Sequence, residues 1–207
     1  MLVSGRNNVK EILKNFKGDL EIKSLICQNN YNEQDVLSLA KSKKIPIYFK
    51  EKRDLDHLVK NNHQGVVLEI SDFNYTPLDE LLNKERSFLL ILDHLEDPHN
   101  LGAIVRTCEA AGVDGIILPE NRSVSVNETV MKTSVGTLYN VKISQVVNLN
   151  NTIKKLKNNG YWIYGTDMDG TNYTDVVYDE RTCLIIGAEG NGISRPFCFL
   201  DEYKETG

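Results

Sequence analysis

Long apolar runs are missing from this 207-residue chain. No stretch approaches the roughly 20 residues that cross a bilayer. The amino-terminal MLVSGRNNVK also lacks the apolar core of a secretory signal. These absences predict a cytoplasmic protein with no membrane partner. Cysteine is scarce: Cys27, Cys108, Cys183 and Cys198 stand far apart with no CxxC pair. Disulfide framework and metal cluster are both disfavoured, and reduced thiols are expected. An overall basic excess is missing too, because the net charge is −5, which argues against a uniformly basic nucleic-acid binder.

Several catalytic signatures are also absent. No GxxxxGK[ST] occurs, which excludes a P-loop nucleotidase. No GxGxxG follows the first strand of the longer α/β region, which disfavours a nicotinamide or flavin dehydrogenase. GxSxG is absent, so a serine hydrolase has no support. Asp167-Met168-Asp169-Gly170 opens like a calcium loop, but the later ligands are misplaced and a turn is expected. His94 and His99 flank one turn without a Cys or carboxylate to complete a zinc set, so no metal is predicted.

What is present describes an ordinary globular protein, 41% hydrophobic and 26% charged. Its charge is uneven. Residues 1–72 hold 12 Lys and Arg against 10 Asp and Glu, whereas the remainder holds 12 against 19. A slightly basic front half is compatible with a local phosphate-binding patch.

The first 72 residues read as a small alternating α/β unit. Helices are predicted over Asn7–Phe16, Glu33–Lys43 and Asp54–Asn61, and strands over Ile22–Cys27, Ile45–Phe49 and Gly65–Ile70. This alternation predicts a three-layer sandwich with a small core. Residues 73–86 break the pattern with Asn74, Pro77 and a short charged helix, Leu78–Lys84, and read as a linker. From Phe88 the alternation resumes in longer units. Strands are predicted at Phe88–Leu92, Gly115–Leu118, Lys142–Val146, Tyr161–Gly165 and Thr182–Gly187. Helices are predicted at Asn100–Ala111, Asn127–Val135 and Asn150–Asn159. Five strands joined by crossovers imply a parallel sheet covered on both faces, with ligands beyond its carboxyl ends. Asp93–Asn100, Pro119–Arg122, Thr166–Gly170 and Ala188–Gly192 lie at those ends.

Two of those ends stand out. Leu92–Gly112, LDHLEDPHNLGAIVRTCEAAG, is a strand–turn–helix unit in which Asn100 is placed to cap the helix and Arg106 follows. Leu184–Ser194, LIIGAEGNGIS, runs a buried strand into a loop with Gly187, Gly190 and Gly192 around Glu189. Such glycines let backbone approach a ligand closely.

Together these stretches resemble the first two signature motifs of the SpoU/TrmH family, SAM-dependent RNA ribose 2′-O-methyltransferases of the SPOUT class. Arg122–Gly136, RSVSVNETVMKTSVG, is similar to that family's connecting helix region. The likeness runs from about Phe88 to Ser194. Gly5-Arg6-Asn7-Asn8-Val9 is similar to the opening of the substrate-binding domain carried by members that modify large-subunit ribosomal RNA. The resemblance implies three parts: an RNA-binding α/β domain over 1–72, a linker over 73–86, and a SPOUT-type parallel-sheet domain of the α/β-knot family over 87–207.

It implies 2′-O-methylation of a ribose in ribosomal RNA, at guanosine in the large subunit, with transfer RNA the lesser alternative. S-adenosyl-L-methionine is the implied cofactor and a homodimer the implied assembly. The family's site falls on Asn100, Arg106 and Glu189 for catalysis, and on Thr166, Gly187 and Gly190 for the cofactor. A guanidinium stays protonated, so Arg106 is read as orienting phosphate and stabilising charge, with Asn100 fixing its geometry. Arg6, Lys10, Lys41, Lys43 and Lys44 are the candidate RNA contacts.

The family's third motif has no match after Ser194, where Arg195-Pro196-Phe197 begins a different ending. Pro196 would interrupt the helix expected there. The expectation is a truncated or frame-shifted end, with an incomplete knot, apolar surface or an unpaired sheet edge, weak SAM binding and weakened dimerisation. The alternative it raises is a catalytically impaired RNA-binding remnant.

Overall fold

A computed structural model of the chain describes residues 1–15, 20–134, 136–188, 192–193 and 204–206, with 167–169 and 204–206 described as backbone. The chain divides into two compact units. Met1–Asn74, Gly102–Arg106 and Val126–Asn140 form the first; Tyr75–Leu101, Thr107–Ser125 and Val141–Gly207 form the second.

In chain order the elements begin with β1 (Leu2–Ser4), α1 (Arg6–Asn15), β2 (Ile22–Gln28), α2 (Gln34–Ser42), β3 (Ile47–Lys50), α3 (Lys52–Leu58) and β4 (Val66–Ile70). The sheet order is β1-β4-β2-β3. β2 and β3 are parallel, while β4 runs antiparallel to both β1 and β2. Side chains at three- and four-residue spacing bury one face of each helix. These are Val9, Ile12 and Leu13 on α1 and Val36, Leu37 and Ala40 on α2. Leu55 of α3 packs with Ile26, Val59 and Val67. Because β2 alternates its side chains, Ile26 faces α3 while Leu25 and Cys27 face away, which gives the expected three layers.

The second unit begins with α4 (Leu78–Leu81), β5 (Ser87–Leu92), α5 (Pro98–Ala111) and β6 (Gly115–Pro119). After α6 (Glu128–Thr133), which groups with the first unit, follow β7 (Lys142–Val146), α7 (Leu149–Asn158), β8 (Trp162–Thr171), β9 (Arg181–Ile186) and β10 (Lys204–Thr206). Strand order is β10-β8-β9-β5-β6-β7, parallel throughout. One face buries Leu89, Ile91, Ile117, Ile163, Cys183 and Ile185 against Leu149, Ile153 and Leu156 of α7.

Three expectations change. The segment read as a linker holds a shorter helix, Leu78–Leu81, and sends Leu81 and Leu82 into this core. Two leucines among charged neighbours are too few to reveal a buried face from spacing. β8 runs on through Thr166–Gly170, where a strand-end loop with a turn was expected. A sixth strand, β10, pairs with β8 at Tyr164, Gly165 and Thr171, with a register break between Glu205 and Thr206. β8 is thus paired on that side, where apolar surface or an unpaired sheet edge was expected.

Cys27, Cys108 and Cys183 are free and buried, and no metal-binding group of His, Cys, Asp and Glu occurs among the described residues. Burial pushes the Cys27 and Cys108 thiols up to about 11 from 9.0, and pushes Cys183 up as well. A raised thiol stays neutral below 9 and costs the folded state stability as pH rises from 9 towards 11. At pH 8 roughly one thiol in a thousand with that value is thiolate. Iodoacetamide labelling followed by peptide mass mapping should thus find all three slower by about 100-fold in the native than in the unfolded chain. Rapid native labelling of Cys108 would contradict its burial. No helix among the described residues is long and apolar enough to cross a membrane.

Candidate active site at the carboxyl ends of the sheet

Strand pairing brings the two notable stretches together. β5 and β9 are parallel neighbours in register from Ser87 opposite Arg181 to Leu92 opposite Ile186. Beyond the last pair, the Asp93 backbone N–H donates to the Ile186 carbonyl at 2.9 Å. The turn after β5 and the loop after β9, some 90 residues apart in sequence, therefore leave the sheet side by side.

The first of these turns is tightly specified. Asp93 is 1% exposed and its carboxylate meets Nδ1 of His94, which itself takes a left-handed φ of 57°. The Leu95 carbonyl accepts from the Val124 N–H at 2.6 Å and from Ser123 Oγ at 3.2 Å. The helix then starts earlier than expected. Asp97, not Asn100, is the N-cap, its carboxylate accepting from the His99 N–H at 2.8 Å with Pro98 in the first turn. Proline at the first helical position has no N–H to satisfy, so Asp97-Pro98 outcompetes Asn100, which sits inside the first turn.

On α5, Leu101, Val105 and Cys108 are buried while Asn100 and Arg106 are exposed. Six residues separate the latter two, about 120° around and roughly 9 Å along a helix. They do not share a stripe, and no hydrogen bond joins them among the described residues. Arg106 has no ion pair there either. The helix closes at Gly112, φ 71°, whose following N–H, that of Val113, reaches the Cys108 carbonyl at 2.9 Å.

Gly102 on the same helix is required by packing. A Cβ there would lie 2.5 Å from Thr133 Cβ and 3.1 Å from the Ser134 nitrogen on and after α6. Gly102→Ala should lower stability by about 1–3 kcal/mol, the cost of overpacking a close contact. A urea melt with an unchanged midpoint would show that α6 gives way freely.

The second loop is tighter still. A Cβ on Gly187 would fall 2.1 Å from both C and O of Gly192 and 2.4 Å from the Ile193 nitrogen. Ala188 bridges Gly192, with the Gly192 N–H donating to the Ala188 carbonyl at 3.0 Å. The chain doubles back here, backbone on backbone. Beside it, Thr166 on β8 donates from Oγ1 to the Ile185 carbonyl at 3.3 Å. Glu189 and Gly190 lie outside the described residues. So the fold brings Thr166 and Gly187 to one end of the sheet, next to the turn that leads to Asn100.

The candidate RNA contacts are placed differently from one another. Arg6 pairs with Glu33 at 2.8 Å, and Lys10 with Asp35 at 2.5 Å. The Lys10 ammonium, hydrogen-bonded to Asp35, holds that carboxyl below its ordinary value, and the carboxylate raises Lys10 in turn. Lys41, Lys43 and Lys44 are exposed at the end of α2. Sequence reasoning missed Asp93. Its only signal is a carboxylate ending an apolar strand.

A cavity of about 710 Å³ opens elsewhere on the second unit's sheet, lined by Phe88, Thr182, Leu184, Tyr173 and Tyr178. Thr166 is its one point in common with the site above; Ser87, Asp114 and Glu180 place the rest towards the amino ends of β5, β6 and β9.

Comparison with known proteins now has a geometry to meet. The SpoU rRNA Methylase family matches residues 87–200, and the family described as RNA 2′-O ribose methyltransferase substrate binding matches residues 2–76. A Staphylococcus epidermidis protein assigned to the TrmH family of tRNA/rRNA methyltransferases is 40% identical over 204 residues, covering 94% of this chain and 81% of that one. A Staphylococcus haemolyticus relative is 39% identical over 203 residues, with the same coverage. Among solved structures, an AdoMet-bound rRNA methyltransferase from Sinorhizobium meliloti superposes with a TM-score of 0.76 at 22% identity, over 100% of this chain and 77% of that one. The SpoU methyltransferase AviRb from Streptomyces viridochromogenes, in complex with AdoMet, gives 0.80 at 18%, over 100% and 80%. At such identities the structures establish the SPOUT fold, and the family matches and relatives establish descent: this chain belongs to the SpoU/TrmH family of RNA methyltransferases.

Proposed function

We propose that this chain transfers a methyl group from S-adenosyl-L-methionine to a ribose 2′-hydroxyl of RNA, with ribosomal RNA of the large subunit, at guanosine, as the substrate. Residues 1–72 bind the RNA, 73–86 connect, and 87–207 hold the transfer site. The observation that carries the reading is the pairing of β5 with β9, which sets the Asp93–Asn100 turn beside the loop that starts at Gly187.

The residues present fit the cofactor. Gly187 has no room for a Cβ, so backbone alone lines its turn, and Thr166 stands at the adjoining strand end. Gly187 and Gly190 hold the cofactor through main-chain groups, with Thr166 beside them and Glu189 supporting the loop. When bound, the cofactor supplies an electrophilic methyl carbon on a sulfonium. Arg106 holds an RNA phosphate so that the 2′-oxygen lies in line with that carbon, and Asn100 lies six residues earlier on the same helix. A fixed geometry of this kind supplies much of the acceleration in a two-reactant displacement. The hydroxyl proton leaves to solvent, because a guanidinium carrying its full complement of protons cannot accept one.

Tritium transfer from methyl-labelled S-adenosyl-L-methionine into ribosomal RNA tests the reading. The label should appear in an alkali-resistant dinucleotide, since a methylated 2′-oxygen cannot attack the neighbouring phosphate. Label found only on base-methylated nucleosides, or none in any RNA offered, would refute it.

A further inference from the structure

β3 is the edge strand of the first unit's sheet, paired on one side with β2 and, among the described residues, open on the other. Two large rings stand in solvent on it, Tyr48 at 54% and Phe49 at 52% exposed. Around them, residues 41–53 carry Lys41, Lys43, Lys44, Lys50, Lys52 and Arg53 against a single carboxylate, Glu51. All seven charged side chains are exposed, and the Glu51 carboxylate is taken by Asn29 Nδ2 at 2.6 Å. Asp54 and Asp56 follow on α3, Asp56 engaged by His63. Lys41, Lys44, Lys50, Lys52 and Arg53 enter no ion pair among the described residues, unlike Arg6 and Lys10. Lys44 also holds a left-handed φ of 57° at the end of α2, where glycine is the easier residue.

Lysine beside an open edge is a common guard against strand-to-strand aggregation. That role does not account for two exposed rings at the same edge, which would promote such pairing. Cations flanking exposed aromatics match the needs of a polyanion whose bases can stack. We propose that the open edge of β3 docks an unpaired segment of RNA, with Tyr48 and Phe49 as stacking rings and the cations at either end of the strand as phosphate contacts. The inference rests on the reading that this chain acts on RNA and names the part of the RNA its first unit grips.

The register makes the geometry specific. Tyr48 and Lys50 lie on the sheet face of Ile26, and Phe49 on the face of Cys27. One ring therefore projects to each side of the edge. A duplex, its bases already stacked and paired, cannot offer a base to either ring. A loop or bulge with splayed nucleotides can.

The test is RNA binding by the full chain, read as fluorescence anisotropy with an unpaired oligonucleotide of about twelve nucleotides and a duplex of equal length. Tyr48→Ala with Phe49→Ala should weaken binding of the unpaired RNA roughly 10- to 100-fold and leave the duplex unchanged. The dependence on salt should keep its slope. Tyr48→Trp with Phe49→Trp should restore binding and show quenching on addition of RNA. Lys50→Gln, Lys52→Gln and Arg53→Gln together should flatten the slope of log K against log salt by about 2.

Unchanged affinity of the alanine variant for unpaired RNA overturns the inference. So does a self-association of the chain that the alanine pair abolishes without touching RNA affinity, which would make the edge an interface between copies. Either result can stand beside undiminished methyl transfer by the unaltered chain, in which case the parent reading survives. Absence of methyl transfer defeats the parent reading by a separate measurement.

Discussion

Arg106→Ala should lower methyl transfer to RNA by roughly 10²- to 10³-fold, the usual effect of losing one fixed group that stabilises developing charge. The side chain is exposed on α5 and has no ion pair among the described residues, so its removal breaks nothing that holds the fold. Stability should move by no more than about 0.5 kcal/mol, as for other surface replacements. The cofactor's affinity, read by calorimetry, should be unchanged, because the proposed contact is with RNA. Arg106→Lys should recover only part of the rate: an ammonium keeps the charge and loses the planar fork that grips a phosphate through two N–H groups. Equal incorporation by Arg106→Ala and the unaltered chain would remove this residue from the reaction.

Periodicity was enough for most elements and failed where a pattern was short or competed with another. α1, α2 and α7 were legible because each buries a stripe at three- and four-residue spacing. β1, with only Leu2–Ser4, is too short to show alternation, yet it pairs with β4 across 60 residues of chain. Leu81 and Leu82 carried no signal that they close the second unit's core, since charged Asp79, Glu80 and Lys84 surround them. The start of α5 was misjudged because both Asp97 and Asn100 can cap, and only the proline between them decides. Nothing local to Arg122–Gly136 tells that α6 folds with the first unit. Ser4 Oγ donating to Glu128 at 3.2 Å, and Lys132 reaching Ser4 Oγ at 3.0 Å, are contacts between residues 124 and 128 positions apart.

The candidate site was legible as two motifs and illegible as a place. Residue types along Leu92–Gly112 and Leu184–Ser194 carried the resemblance, but adjacency came from the strand order, in which β9 inserts between β8 and β5. That order follows from a chain that leaves β7, passes through α7 and lays β8 on the far side before returning. Spacing in sequence holds no record of it. Asp93, buried against His94 beside the Ile186 carbonyl, became visible only once the two strands were paired.

Gly187→Ala should abolish cofactor binding and lower stability, and the reason separates it from the other glycines. The obstruction is main chain: Gly192 C and O at 2.1 Å and the Ile193 nitrogen at 2.4 Å from the added Cβ. No rotamer change relieves it. The loop must open, breaking the Ala188–Gly192 bridge and its 3.0 Å hydrogen bond. A Cβ on Gly115 would also meet atoms at 2.8 Å, but these are Leu81 methyls that can turn aside. Gly192 has open space around it and a φ of 62°, so Gly192→Ala carries a backbone penalty of about 1 kcal/mol and no clash. The expected ranking in cofactor affinity is therefore Gly187→Ala far below Gly192→Ala, with Gly115→Ala close to the unaltered chain because it lies at the opposite end of its strand. An overpacking cost of about 1–3 kcal/mol at Gly187 should lower the melting temperature by roughly 2–12 °C for a chain of this size. Adding saturating S-adenosyl-L-methionine should raise the melting temperature of the Gly115 variant and leave that of the Gly187 variant where it was, since a ligand stabilises only a fold that binds it. A Gly187 variant stabilised by the cofactor as fully as the parent would mean that the loop closure is not part of the cofactor's seat.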